Sequence, residues 1–254
     1  MIVRAAVCPP PPLLAAELTG SADVLPGLRA ACAAAVARLL AADPDVVVVA
    51  GAGPATATWD PDGWLDLSAY APALGTGGKP GLPLALGLGA VLLDAAGHAG
   101  PRVLQAVEEQ APAAECLRLG ASLPGLAPRV GLLAMGDGSA RRGVAAPGHL
   151  DARAAPFDAS VERALRDGDM AALAALDPDL ARDLLATGRA AWQVLAGAMS
   201  APGTAVGQAG QVLYADAPLG VAYLVAVLDP PDRGPVPAPS PDVPVKGAYS
   251  SVDQ

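Results

Sequence analysis

The chain has 254 residues, 53% hydrophobic and 3% aromatic, so its core must be closely packed alanine, valine and leucine. A net charge of −9 argues against the basic surface that non-specific binding to nucleic acid or to an anionic membrane requires. No apolar run predicts a membrane span, and the prolines at 9–12 come too early for a signal peptide. Three cysteines without CxxC spacing fit a reducing compartment. We therefore expect a cytoplasmic protein.

The first third of the chain is predicted to form a β-α-β unit. A strand over 2–7 precedes a helix over 24–42, in which apolar residues recur at spacings of three and four. Four consecutive valines at 46–49 predict a second, buried strand parallel to the first. The polar, glycine-rich stretch 56–81 is predicted to be a long loop, and loops of this length are typically functional or mobile.

The later elements continue this alternation and end in an antiparallel pair. We predict helices over 83–96, 113–123, 156–166 and 169–176, a further helix from Asp177 through Met199, and strands over 104–107, Val130–Met135, 211–214 and 221–228. The predicted fold is one α/β domain over 1–228, with a mainly parallel central sheet flanked by helices and late antiparallel strands. Residues 229–254 have the composition of a disordered, proline-rich tail.

The strongest candidate site directly follows the predicted strand Val130–Met135. Asp137, Ser139, Arg141 and Arg142 come within seven residues of its end. Open α/β sheets bind ligands at the carboxyl ends of their strands. A carboxylate, a hydroxyl and two guanidinium groups could bind an anionic group there. The alternative is a tight turn with solvated arginines.

Two further strand ends supply candidates. Cys8 and Pro10 follow the first strand, in a proline run that is either a stiff turn or one wall of a pocket. Cys8 is not predicted to be a nucleophile, because no sequence feature places a base beside it. Gly53 follows the valine strand, but a dinucleotide fingerprint would need a third glycine where Thr56 stands, so nucleotide binding is not predicted.

Metal binding is not predicted from the residues. His98 and His149 are the two histidines of the chain, and they lie in unrelated predicted loops. Asp60, Asp62 and Asp66 could hold a hard cation weakly, with a solvated loop as the alternative.

Several segments, in their order along the chain, resemble a known family. They are AAVCPPPPLL (5–14), VVVVAGAGP (46–54), GLPLALGLGAVLLDAAG (81–97), LLAMGDGSARR (132–142), APFDASVERALRDGDMAAL (155–173), GRAAWQVLAGAM (188–199) and LYADAPLGVAYLVAVL (213–228). Over about residues 1–228 the chain resembles the B-type subunit of class III extradiol ring-cleavage dioxygenases, in a compact actinobacterial-type branch. The resemblance implies an α/β fold. In active relatives it also implies a mononuclear Fe(II), held by two histidines and a glutamate, that opens catechol-type rings with O₂.

The chain departs from this family where the chemistry would be. Pro10 stands where a first histidine is expected, 50–58 contains no histidine, and Ala140 stands where an acid/base histidine is expected. We can assign no residue to the glutamate. The resemblance therefore implies a catalytically altered or inactive member that binds a small aromatic or anionic ligand in the cleft. The residues expected to line that cleft are Cys8, Pro10, Gly53, Thr56, Asp137, Ser139, Arg141 and Arg142.

Two alternatives remain open at this point. One is an active Fe(II)-dependent oxidoreductase; otherwise we expect no cofactor. The other is a structural or assembly subunit that binds a partner protein, or further copies of this chain through its alanine-rich helices.

Overall fold

A seven-stranded sheet lies at the centre of the computed structural model, which describes residues 1–20, 22–74, 81–202 and 210–229. Its strands are β1 (Ile2–Cys8), β2 (Val46–Gly53), β3 (Ala57–Trp59), β4 (Arg102–Glu108), β5 (Val130–Met135), β6 (Gly210–Asp216) and β7 (Tyr223–Leu228). Their order across the sheet is β3-β4-β2-β5-β1-β7-β6. Strands β4, β2, β5 and β1 are parallel to their neighbours in this group, whereas β3, β7 and β6 form antiparallel pairs. The predicted α/β fold with late antiparallel strands is confirmed.

Helices cover both faces of the sheet. Those in the described residues are α1 (Ala16–Thr19), α2 (Pro26–Leu40), α3 (Leu84–Ala95), α4 (Ala113–Ser122), α5 (Ala154–Asp167), α6 (Met170–Ala174), α7 (Pro178–Asp183) and α8 (Arg189–Met199). Short 3₁₀ turns occur at Pro12–Leu14, Pro72–Leu74 and Leu123–Gly125. Helices α2 and α3 pack on one face, and α4 to α8 supply the hydrophobic cluster on the other. None of the helices in the described ranges is both long and apolar enough to cross a membrane.

Strand β5 is the buried centre of this arrangement. It lies between β1 and β2, and all six of its residues are buried. Successive side chains point to opposite faces, so Leu132 joins one hydrophobic cluster and Leu133 the other. A strand covered by helices on both sides needs apolar residues at every position. This is why the bounds of β5 could be predicted from the sequence.

The helix predicted to run from Asp177 through Met199 is wrong, because the structure has two helices there. The Asp177 carboxylate accepts from the Asp179 backbone N–H at the start of α7, and the chain leaves the helix at Leu185, where φ is +56°. The interruption frees Leu184 O to accept from the Ala140 N–H at 3.0 Å, and Gly188 N–H to donate to Asp137 O at 2.8 Å. The backbone groups freed at this break therefore form hydrogen bonds with the segment that follows β5.

Two other expectations need adjustment. The predicted loop 56–81 contains the edge strand β3, and its residues 75–80 lie outside the described ranges. Strands β1 and β2 are parallel to β5, as the β-α-β prediction requires, but β5 lies between them. The predicted tail lies outside the described residues beyond Asp229.

Candidate functional site

The three strand ends singled out from the sequence meet at one edge of the sheet. Cys8 of β1 pairs with Met135 of β5, and Gly51 of β2 pairs with Met135 from the other side. Strand β7 begins at this edge too, because it is antiparallel to β1 and Val7 pairs with Ala226. This carboxyl edge is where open α/β sheets bind ligands.

The chain after β5 crosses the end of β1 towards the start of β7. Gly136 N–H donates to Cys8 O at 2.9 Å, and Gly138 N–H donates to Ala222 O at 2.8 Å. Ala222 N–H donates in return to Ser139 O, also at 2.8 Å. These backbone bonds hold residues 136–139 in a fixed path, so the direction of the Asp137 side chain is set by the sheet.

Asp137 has a buried carboxyl oxygen without a partner. The residue as a whole is half-buried, but its Oδ1 is fully buried and accepts no hydrogen bond from any described residue. Burial raises the pKa of this carboxyl to about 7, because removal from water disfavours the charged form. Near neutral pH the group is therefore present in both its protonated and its ionised form.

Two tyrosines lie close enough to Asp137 to respond to its charge. Tyr223, the first residue of β7, is buried, and Tyr70, in the loop before α3, is about half exposed. Burial is the main cause that raises the pKa of each phenol, and the negative charge of Asp137 raises both further. Asp137 therefore interacts electrostatically with two of the four tyrosines of the chain.

Ser139 and Arg142, by contrast, are bound within the protein. Asp158 of α5 accepts from the Ser139 hydroxyl at 2.6 Å, from the Ser139 N–H at 2.8 Å and from the Arg142 guanidinium at 3.1 Å. Burial raises the pKa of Asp158, and these three hydrogen bonds oppose the rise. Ser139 and Asp158 are both buried, so this network joins the end of β5 to α5 and leaves the Ser139 hydroxyl no access to a ligand.

Arg141 is bound by the loop after β5, although its buried Nε has no partner among the described residues. Its guanidinium donates to Gly148 O, in the loop after β5, and its charge helps to hold the pKa of Asp151 below the ordinary value. The largest cause of that low pKa is the hydrogen bond from Arg153. The two arginines expected to form one anion site therefore serve two different structural contacts.

The remaining predicted residues divide between two parts of the edge. Cys8 is buried, and a hydrogen bond with Cys32 together with burial raises the pKa of its thiol, so it is not an activated nucleophile. Pro10 is also buried near the end of β1. Gly53 packs towards β4, because an added Cβ would lie 2.7 Å from Ala106 Cβ. Thr56 Oγ1 accepts from the N–H of Glu108 at the end of β4, at 3.0 Å.

The donor set does not fit the iron site of the family that the chain resembles. Both histidines lie in the described residues. His98 precedes β4 at the amino edge, whereas His149 lies in the loop after β5. Seven-residue β4 alone separates the edges by about 23 Å. No group of three His, Cys, Asp or Glu side chains in the described ranges could hold a metal ion. A site with two histidines and a carboxylate cannot form from these positions.

The sequence analysis did not identify Asp158, Tyr70 or Tyr223, which interact with the predicted residues Ser139 and Asp137. Asp158 is separated from Ser139 by a loop and most of a helical turn, and nothing in the pattern of α5 marks it as the partner. Tyr223 is the first residue of the apolar run YLVAVL, and this pattern predicts an ordinary core residue. The scarcity of aromatic residues was the one available signal for Tyr70 and Tyr223, since two of four tyrosines lie at this edge.

Comparisons with known proteins establish the fold alone. No model of a known protein family matches the chain, and no curated protein matches it. The chain is similar to a solved structure described as an uncharacterized protein, JW3007, from Escherichia coli K12. The two share 15% sequence identity with a TM-score of 0.53, over 89% of this chain and 99% of that one. The path of the backbone is thus shared with a protein whose description states no activity.

Proposed function

We propose that the protein binds a small aromatic molecule carrying a hydrogen-bond donor, with Asp137 as the polar anchor at the carboxyl edge of the sheet. The observation that carries this proposal is the buried Oδ1 of Asp137, which has no partner among the described residues. A buried acceptor left without a hydrogen bond is unfavourable by about 1–3 kcal/mol. A ligand that displaces the atoms covering that oxygen and donates an O–H or N–H to it would recover this free energy.

The surroundings favour an aromatic ligand over an anionic one. Tyr70 and Tyr223 both lie within the electrostatic influence of Asp137, and aromatic rings pack favourably against one another. An anion would be repelled by the Asp137 carboxylate. Arg142 is bound by Asp158, and Arg141 donates to Gly148 O, although its buried Nε has no partner among the described residues. Of the two ligand classes inferred from the sequence, we therefore retain the aromatic one.

Asp137 can also exchange a proton with such a ligand. Its pKa of about 7 makes the carboxylate an acceptor for a phenolic hydroxyl, and the protonated form a donor to a carbonyl. The proposal contains no ring-opening step, because Pro10 and Ala140 stand where two of the expected histidines would be, 50–58 contains no histidine, and His98 and His149 lie at opposite edges of the sheet. The protein is proposed to bind its ligand in a catalytically altered cleft.

Thermal stabilisation by matched small molecules tests this proposal. Phenol and anisole share a ring, but only phenol donates a hydrogen bond, and benzoate presents an anion. We expect phenol to raise the melting temperature of the wild type and anisole and benzoate to have little effect. At about 100 times its Kd, a ligand stabilises the native state by about 2.7 kcal/mol.

The variant Asp137→Ala should lose the response to phenol. Asp179→Ala is the matched control, since the side chain of Asp179 is 78% exposed and lies on α7. If anisole stabilises the wild type as well as phenol does, or if Asp137→Ala retains the phenol response, Asp137 is not the anchor and the proposal fails.

A further inference from the structure

Three adjoining loops at the carboxyl edge each expose large apolar side chains. Val144 is 80% exposed, Leu150 61%, Leu219 46% and Leu185 42%. They belong to the segments 143–150, 184–188 and 217–220, which we call the loop surface. Four of the eight large hydrophobic residues that are exposed in the described ranges lie here, and such clustering marks an interaction site more often than scattered exposure does.

Contacts between the loops fix them as one surface. The segment 143–150 lies in the middle. Arg142 N–H donates to Gly220 O at 3.0 Å, and the Cα of Gly220 lies close to Ala146, so the turn bearing Leu219 packs on one side. On the other side, the space next to Gly148 is filled by the Leu185 side chain, 2.8 Å from where a Cβ would lie.

The loop surface carries no formal charge. Its three segments read GVAAPGHL, LLATG and APLG, and none contains Asp, Glu, Lys or Arg. Most of the adjoining charges are paired within the chain, whereas the exposed Asp216 next to 217–220 accepts only from the Ala217 N–H. Arg142 binds Asp158, and Arg153 binds Asp151 and Asp183. A surface without charge offers nothing to steer a strongly acidic or basic partner.

These observations indicate which partner fits. Each copy of the chain has a net charge of −9, so two copies repel wherever their charged surfaces meet. The loop surface is a region where that repulsion is smallest and where apolar side chains can be buried. A twofold homodimer brings the same patch of both subunits together, so the patch must be complementary to itself. An uncharged apolar surface meets this requirement, because it needs no opposite charge on the other subunit. We propose that the loop surface joins two copies of this chain in a twofold dimer.

Sedimentation velocity of the full chain over a wide range of concentration tests this inference, which does not depend on the proposed ligand. The wild type should sediment at twice the chain mass of 25.0 kDa and dissociate on dilution. Val144→Asp and Leu150→Asp each place an additional negative charge in the apolar interface from both subunits, where burial disfavours it. Each should raise the dimer Kd by at least about tenfold.

Leu126→Asp is the matched control. Leu126 is 51% exposed but precedes β5, at the opposite edge of the sheet, so this variant should dimerise as the wild type does. All three positions are exposed, and circular dichroism should show unchanged folding. A wild type that is monomeric at every concentration overturns the inference. So do Val144→Asp and Leu150→Asp proteins that dimerise normally, or a Leu126→Asp protein that dissociates equally.

Discussion

Replacing Asp137 with asparagine should remove a pH dependence from the stability of the protein. In the folded state the pKa of this carboxyl is about 7, against about 3.9 in the unfolded chain. Between these values the folded protein holds a proton that the unfolded chain has released. Stability from this group is therefore greatest below about pH 4, falls as the pH rises to about 7, and is level above that. The difference between the two pKa values corresponds to about 4 kcal/mol in the free energy of unfolding.

Asparagine has nearly the same shape and carries no charge at any pH. We expect the Asp137→Asn variant to be more stable than the wild type by up to about 4 kcal/mol near pH 8, with the difference shrinking as the pH falls towards 4. Urea denaturation followed by circular dichroism across this range gives the free energy of unfolding of both proteins. Subtracting one profile from the other cancels the contributions of other groups, such as the raised pKa of Asp158 and the lowered pKa of Asp151.

Asp179→Asn provides the control for a change of net charge, because that side chain is 78% exposed. Its difference from the wild type should be small throughout the range. A difference between wild type and Asp137→Asn that does not change with pH would refute the burial argument. A variant less stable than the wild type near pH 8 would refute it as well.

Two further substitutions test the packing beneath the site. Ser139→Ala removes one donor from the buried carboxylate of Asp158 and should lower the free energy of unfolding by about 1–3 kcal/mol. Its control is Ser122→Ala, at an exposed position of α4, which should change the free energy of unfolding by less than about 0.5 kcal/mol. Gly136→Ala places a Cβ against the backbone of Gly188 and should cost about 1–3 kcal/mol, whereas Gly143→Ala meets no atom within 4 Å and should be nearly neutral. Urea denaturation measures all four variants, and equal losses within either pair would contradict the corresponding contact.

Most of the fold was predictable because local pattern and tertiary environment agree. The run Val130–Met135 is apolar at every position, and the strand it forms is buried on both faces with the same bounds. The break between α7 and α8 was not predictable from periodicity. Leu180, Leu184 and Trp192 keep helical spacing through it. The break coincides with the left-handed backbone of Leu185 and with the bond from Ala140 to Leu184, a contact with a distant segment that sequence spacing does not encode.

The candidate site was predictable in position but not in pairing. Polar residues directly after a central strand must lie at the carboxyl edge, so Asp137 and Ser139 were placed correctly by topology alone. Which of them a ligand could reach depends on Asp158 and Gly148, which approach only in the folded chain. The two arginines and the hydroxyl expected to form an anion site make internal contacts instead. The buried Asp137 Oδ1 and the buried Arg141 Nε have no partner among the described residues.

Asp137, which follows β5, and Asp158, on the neighbouring helix α5, each have buried carboxyl oxygens, and their surroundings differ in a way that bears on function. Asp158 accepts three hydrogen bonds that join β5 to α5, and these bonds offset the unfavourable free energy of burying its carboxylate. The buried oxygen of Asp137 accepts none from the described residues, and its charge opposes folding above about pH 4. An asparagine or a leucine would meet the needs of the fold better at position 137. A carboxyl there is therefore best understood through a molecule that donates to it, and the same argument would not apply to Asp158.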